Sequence, residues 1–401
     1  MTRARVLRAL HATQSSLEMR TRARELLALC ARSKRGPTGQ YGMMLRMTLA
    51  AFFNIRANSL NSLRLLFATL VIVSHSWPVA GFGGDPQFGD FKLGEFAVAA
   101  FFAISGYLIT GSRLSNRALP YFRARILRIF PGYWVCLLVT ACVAAPIAGL
   151  SRGGWDLADA AGYVYNNVFL VVRQWTIGGT LDGAPWPGAW NGPLWTLMYE
   201  FACYFLIAAL FAVSRLRRGW VVLAVFAAFT VAGVMERLGL LPNNINLKNL
   251  FVLGTYFFAG AAVFMYRDRI PASSMLASAA AALTVTATAF HWGTTIAPLG
   301  IAYLCIWTSA QFPRLLVERI GDGSIDISYG MYVYGWVMQQ LVIVAGLHNY
   351  GVLMLIAVSV IGTIPLAAIS WFTVEKQALR FKRVGAHRRR NSATTTIDLT
   401  A

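Results

Sequence analysis

Apolar residues run along this chain in windows of membrane-spanning length, broken by short polar segments, from about residue 60 to residue 374. The windows fall at roughly 60–80, 93–112, 130–150, 194–213, 220–236, 248–266, 273–290, 294–312, 326–346 and 350–373, and they predict ten transmembrane helices. Positive charge sorts the connections into two alternating sets. One set holds the N-terminal segment, Arg113 to Arg128, "RLRR" at 215–218, "YRDR" at 266–269, the Arg314/Arg319 loop and "RFKRVGAHRRR" at 380–390. The other set, at 78–92, 151–193, 237–247, the His291 turn and 348–350, is poor in Lys and Arg. By the positive-inside rule both termini are cytoplasmic, which requires an even number of spans. The expected fold class is therefore all-α, a polytopic membrane protein.

Composition removes the soluble alternative. Hydrophobic residues make up 57% of the 401 and charged residues only 13%, with a mean hydropathy of +0.55. A formal charge of +20 would suit nucleic acid, but the cations crowd into the termini and every second loop, so the expected partner is the lipid bilayer and not nucleic acid. Residues 1–58 carry eleven Lys or Arg against Glu18 and Glu25. They read as a basic, disordered or surface-lying cytoplasmic extension drawn to anionic head groups. Residues 59–383 form the membrane domain, and 384–401 a polar cytoplasmic tail. No short apolar core with a small-residue cleavage site lies near Met1, so no cleaved signal peptide is expected. Of the five cysteines, Cys136, Cys142, Cys203 and Cys305 fall in apolar windows and none forms a CxxC pair. Neither a disulfide framework nor a metal site is indicated.

Charges inside such windows are expensive, and each is a candidate functional group. The first window carries Arg64 and His75, eleven positions apart. At 100° per residue they project within about 20° of one another, separated by a rise of about 16 Å. One face thus holds a cation near the cytoplasmic side and an imidazole toward the outside. Glu200, in "NGPLWTLMYEF" at 191–201, lies about 9 Å below the external surface by the same rise. It is expected at the depth of His75, where a carboxylate beside an imidazole makes a base with an orienting partner. The alternative is a structural ion pair with an Arg. On the cytoplasmic side, "YFRARILRIFPGYW" at 121–134 sets Arg125 and Arg128 three residues apart with Arg123 nearby. Such forks suit phosphate or pyrophosphate, although topology marking would also explain them. Ser105, Gly106 and Gly111 in "FFAISGYLITG" permit close helix approach. Tyr329, Tyr332, Tyr334, Gln339 and Gln340 read mainly as polar contacts between helices. Trp155, Trp175, Trp186 and Trp190 in the long external loop suit either interfacial anchoring or a sugar face.

Taken in order, these residues resemble the acyltransferase 3 family of membrane acyltransferases that decorate surface sugars. The match comprises Arg64 and His75 with ten residues between them, "FFAISGYLIT", "RARILRIFPGYW", "NGPLWTLMYEF", "DISYGMYVY" and "SWFTVEK", spread over most of 58–383. The resemblance implies a stand-alone enzyme of the bacterial inner membrane with no permanently bound cofactor. It would take acyl-CoA, usually acetyl-CoA, as donor and a hydroxyl of a surface glycan or lipid-linked saccharide as acceptor. It also implies His75 and Arg64 as the functional pair, Glu200 and Trp195 as motif residues, and Arg125 and Arg128 as the donor-binding cations. Many members place a His after the Tyr-rich stretch, whereas this chain has Gly335–Trp336. A transporter or flippase of a glycan or lipid intermediate is the competing class; it should show inverted repeats, and no clear self-similarity is visible. An acyltransferase acting on a small molecule or lipid is the alternative within the same class.

Overall fold

The computed structural model of the chain describes residues 47–55, 57–311 and 325–383. The expected N- and C-terminal extensions and the Arg314/Arg319 loop fall largely or wholly outside the described residues. Among those described, the protein is a bundle of apolar helices with one two-residue β-hairpin.

Six helices are long and apolar enough to cross a membrane. They are α1 (Leu60–Val79), α2 (Leu93–Ser115), α3 (Ala118–Arg152), α6 (Gly219–Arg237), α7 (Ile245–Tyr266) and α12 (Val352–Arg380). The intervening helices are α4 (Leu157–Asn167), α5 (Trp195–Leu210), α8 (Ser274–Ala289), α9 (Gly293–Ile296), α10 (Pro298–Gln311) and α11 (Ser328–Val344). Helices α5, α8, α10 and α11 lie within the four remaining apolar windows, but each has only 14 to 17 residues. At 1.5 Å per residue they reach about 21–26 Å, less than the roughly 30 Å hydrocarbon core. Length alone therefore supports six spans, not ten.

Two local departures from the predicted windows have clear causes. Helix α3 starts at Ala118 instead of near 130, because Arg123, Arg125 and Arg128 continue its first turns. It then passes through a π turn at Thr140–Ala144, just ahead of Pro146. The window at 294–312 becomes two helices, α9 and α10, with Pro298 at the start of the second. There its missing N–H costs no helical bond.

Helices α2 and α7 form the centre, each with 61% of its apolar window buried, whereas α6 has 11% and α12 22% buried. Gly106 and Gly260 account for the closeness of α2 and α7. A Cβ at Gly106 would stand 1.8 Å from the Phe257 carbonyl oxygen, and one at Gly260 1.9 Å from that of Ala103. The backbones touch because neither position has a side chain. Helix α11 packs against α1 and α12 and behaves as the polar connector its sequence suggested. Gln339 Nε2 donates to the Ile72 carbonyl at 2.7 Å and to Ser76 Oγ at 2.8 Å. Gln340 Nε2 reaches the Ala189 carbonyl at 2.8 Å, and the Tyr329 hydroxyl reaches that of Ile129 at 2.8 Å.

The segment between α3 and α5 is held by a helix cap and side-chain hydrogen bonds. Helix α4 is capped by Asp156, whose carboxylate accepts the Asp159 N–H at 2.9 Å. Asn167 Oδ1 then accepts the N–H groups of Arg173 and Gln174 at 2.8 and 3.1 Å, fixing the following bend. Trp190 is fully buried, with its indole donating to Thr180 Oγ1 at 2.9 Å.

Candidate functional site

His75 stands in the last turn but one of α1, on the wall of a chamber of about 590 Å³. This volume lies in the range of small-molecule sites. The chain after α1 turns back through Gly81 and Gly83, both at positive φ, and brings Asp85 to the helix end ahead of a hairpin of strands β1 (Gln87–Phe88) and β2 (Phe91–Lys92). Its Oδ1 lies 3.1 Å from His75 Nδ1 and accepts the Ser74 hydroxyl at 2.9 Å, while Ser74 Oγ accepts the Gly94 N–H at 2.9 Å. The opposite side of the imidazole meets Trp336 edge-to-face, with ring centroids 5.1 Å apart. Burial raises the Asp85 carboxyl, but the hydrogen bond and charge of His75, with help from Ser74 and Lys92, outweigh it and hold the group below its ordinary 3.8. An ionised carboxylate only accepts, so Nδ1 donates to Asp85. Among the described residues no group is hydrogen-bonded to Nε2. The arrangement is an oriented imidazole with its second ring nitrogen open to a ligand.

Glu200 is not that orienting partner. It sits in the second turn of α5 and accepts the Ser105 hydroxyl at 2.7 Å and the Tyr204 hydroxyl. It does not lie at the level of His75: Gly94, bonded to Ser74 beside His75, and Ser105, bonded to Glu200, are eleven residues apart on α2, a rise of about 16 Å. Glu200 faces α2, whereas the side of His75 is closed by the loop acid Asp85. With Arg64 and Thr196, Glu200 lines a smaller cavity of about 40 Å³. Val98, Thr196 and Tyr332 line both this cavity and the chamber. The two voids therefore adjoin, one beside Arg64 and the other beside His75.

The opposite end of the same face, around Arg64, is filled by charge. Asp326, just ahead of α11, lies 2.6 Å from Arg128 and 3.5 Å from Arg64. Arg128 also faces Glu375 at 3.8 Å and stacks near the rings of Tyr329 and Trp371 at 5.8 and 5.9 Å. Asp326 accepts the Ser328 hydroxyl at 2.6 Å as well. Two guanidiniums thus meet two carboxylates. Arg128, expected as a donor-binding cation, is committed to internal partners. Arg125, one turn earlier, is half-buried and has a buried Nε with no hydrogen-bond partner.

Of the expected residues, Arg64 and Glu200 are brought to one cavity, His75 to the adjoining chamber, and Arg128 to Arg64 through Asp326. Trp195 lines the chamber, whereas Trp155, Trp175, Trp186 and Trp190 do not. Trp336 supports the His75 ring and donates its indole N–H to the Ala189 carbonyl at 3.1 Å. Sequence reasoning missed Asp85, Asp326 and Glu375. Asp326 and Glu375 lay inside quoted segments, "DISYGMYVY" and "SWFTVEK", and an acid next to an apolar window was the available signal. Asp85 gave none, since it resembles any acid in a polar loop.

A family model described as an acyltransferase domain matches residues 57–374. An O-acetyl transferase of Shigella phage Sf6 is 30% identical over 344 residues, covering 81% of this chain and 96% of the relative. Nodulation protein 10 of Rhizobium leguminosarum bv. viciae is 28% identical over 358 residues, covering 81% of this chain and 94% of that protein. Acyltransferase MdmB of Streptomyces mycarofaciens is 28% identical over 186 residues, covering 44% and 46%. No solved structure matches the chain. A domain match over most of the described residues, together with a near full-length relative, shows that the chain belongs to the acyltransferase 3 family and is by class an O-acetyltransferase.

Proposed function

We propose that this enzyme carries an acetyl group from cytoplasmic acetyl-CoA to a hydroxyl of an exopolysaccharide or other surface glycan, acting across the bacterial inner membrane. In this reading α5, α8, α10 and α11 complete the six long helices to ten spans, tilted or thinned to fit, with both termini cytoplasmic. The Sf6 relative is named an O-acetyl transferase and the rhizobial one a nodulation protein, which favours acetyl as the group moved.

The observation that carries the proposal is the pair of adjoining voids along one face of α1. Arg64 and Glu200 border the inner one, and His75, with Nε2 free, borders the outer one. The donor's phosphates dock on the cytoplasmic side, where Arg125 offers a guanidinium not tied to a carboxylate. A pantetheine arm of about 15–20 Å, by backbone-like bond lengths, matches the rise from Arg64 to His75. Nε2 takes the proton of the acceptor hydroxyl as its oxygen attacks the thioester carbonyl. The tetrahedral intermediate collapses with cleavage of the C–S bond. The CoA thiolate leaves and recovers the proton from the imidazolium, giving the O-acetyl ester and free CoA. Asp85 holds the ring and stabilises its cationic form. Arg128 is a positioning residue, since through Asp326 it fixes Arg64 at the inner void.

The test is His75→Ala, assayed by transfer of radiolabelled acetyl from acetyl-CoA in membranes containing equal amounts of protein. Removing a general base lowers transfer by about 10²–10⁴-fold. Wild-type transfer at wild-type abundance would sink the mechanism. Acetyl-CoA-independent movement of glycan across vesicles would instead favour a flippase.

A further inference from the structure

The outer chamber holds one polar group that the proposed chemistry does not use. Tyr256, on α7, lines the chamber and is 1% exposed. Its ring packs toward Phe91 at 6.2 Å between centroids. Its hydroxyl is buried and has no hydrogen-bond partner among the described residues. Other tyrosine hydroxyls in the bundle are satisfied. Tyr121 donates to the Tyr204 carbonyl at 2.9 Å, Tyr133 to that of Asn167 at 2.6 Å, Tyr329 to that of Ile129 at 2.8 Å and Tyr332 to that of Pro193 at 3.1 Å. A buried hydroxyl left without a partner is costly, and such groups are rare in folded proteins. Phenylalanine at 256 would fill the same space without that cost. Keeping the oxygen makes physical sense if a ligand completes it.

The chamber's composition indicates the ligand's chemistry. Its ionisable lining, His75 aside, comprises four carboxylates, Asp85, Asp90, Glu95 and Glu236, against three cations, Lys92, Arg237 and Lys248. The cations are already engaged. Lys248 faces Glu236 at 3.4 Å, Lys92 faces Glu95 at 3.7 Å, and Arg237 faces Asp90 at 3.9 Å. No surplus of positive charge awaits an anion. Threonines such as Thr230 and Thr255, together with Asn249, supply short polar groups, and Trp195 supplies an aromatic face. That combination suits an uncharged ring bearing several hydroxyls.

We infer that Tyr256 is a specificity-determining residue whose hydroxyl hydrogen-bonds a hydroxyl of a neutral sugar ring held in the outer chamber. The inference rests on the proposed function only in taking this chamber as the acceptor's site. It concerns recognition and assigns Tyr256 no part in the chemistry.

Tyr256→Phe removes one oxygen and leaves the packing intact. Binding is measured on the full-length protein in nanodiscs, without acetyl-CoA, by thermal shift and calorimetry. The probes are the methyl glycosides of glucose, galactose, rhamnose and N-acetylglucosamine, with methyl glucuronide as the charged counterpart. The variant, freed of an orphaned hydroxyl, is expected to melt higher than wild type without ligand. It is also expected to bind the preferred neutral glycoside about five- to tenfold more weakly, the loss typical of one hydrogen bond. Equal affinity of both proteins for every glycoside overturns the inference, as does preference for the glucuronide or failure of all the glycosides to protect wild type. Since no acetyl transfer enters the measurement, loss of affinity in Tyr256→Phe stands even if His75→Ala later proves fully active, and the two readings fail separately.

Discussion

The two ends of one face of α1 carry ionisable groups of similar standing in the sequence, yet their surroundings are opposite. At the outer end His75 is held by Asp85 and Trp336, with one nitrogen bonded and the other open to a chamber of about 590 Å³. At the inner end Arg64 faces a void of about 40 Å³ and shares Asp326 with Arg128, which also faces Glu375. The difference teaches that a charge in a membrane helix has two separable uses. Where valence is left over beside open space, the group is equipped for chemistry. Where each charge is matched by another, the group fixes helices in place. Buried matched charges contribute little net stability, but removing one partner strands the other.

The sharpest way to break this comparison is to unmatch the inner end. Asp326→Ala leaves Arg64 and Arg128 without their shared carboxylate, 10% exposed in the folded protein. Loss of one partner from a buried ion pair costs about 3–5 kcal/mol. The expected result is a lower melting temperature in nanodiscs and poor accumulation in membranes, with restoration by the double variant Asp326→Ala/Arg128→Met. If Asp326→Ala is as stable as wild type and only its requirement for acetyl-CoA changes, then the inner cluster is a ligand site and the contrast fails.

A smaller effect belongs to the outer end. Asp85→Asn keeps the size of the side chain but no longer matches an ionised partner to Nδ1–H. A hydrogen bond to a charged group is worth about 1.5–3 kcal/mol, so turnover should fall roughly ten- to hundredfold. KM for acetyl-CoA should be unchanged, because the donor's charges dock at the other end. The acid side of the profile follows from the same pair. The folded carboxyl is depressed below 3.8, so the stabilisation it gives is fully present above that pH. It is lost only as pH falls through the lower folded value. Asp85→Asn should lack this acid-dependent component in thermal melts taken from about pH 4 downward.

The contrast also explains how much could be read before the fold was known. Helical class and the approximate windows were legible because the bilayer forces long apolar runs with positive flanks. The shared face of Arg64 and His75 followed from 3.6-residue periodicity alone, and Gly106 was read correctly as a place of close approach. What failed was anything set by the angle between helices or by a loop's return path. Glu200 was placed beside His75, whereas it bonds Ser105 and lines the void of Arg64. Asp85 reaches His75 because the chain turns back through Gly81 and Gly83 after α1, and no period marks that reversal. Arg128 was read as free because its partners, Asp326 and Glu375, lie some two hundred residues away in sequence. Long-range pairing of charges leaves no trace in spacing.

The mildest prediction asks whether Glu200 serves packing or chemistry. Glu200→Gln retains an amide oxygen that can still accept from Ser105 and Tyr204, the two hydroxyls it serves. If the carboxylate only ties α5 to α2, its charge is dispensable. Turnover should then fall by no more than about threefold to tenfold, the cost of weakening a neutral hydrogen bond. It should remain clearly above the turnover of Asp85→Asn in the same assay. The reverse order, with Glu200→Gln the slower enzyme and Asp85→Asn near wild type, would show that Glu200 serves the chemistry. In that case the carboxylate that turnover needs lies at the inner void, and the contrast between the two ends fails.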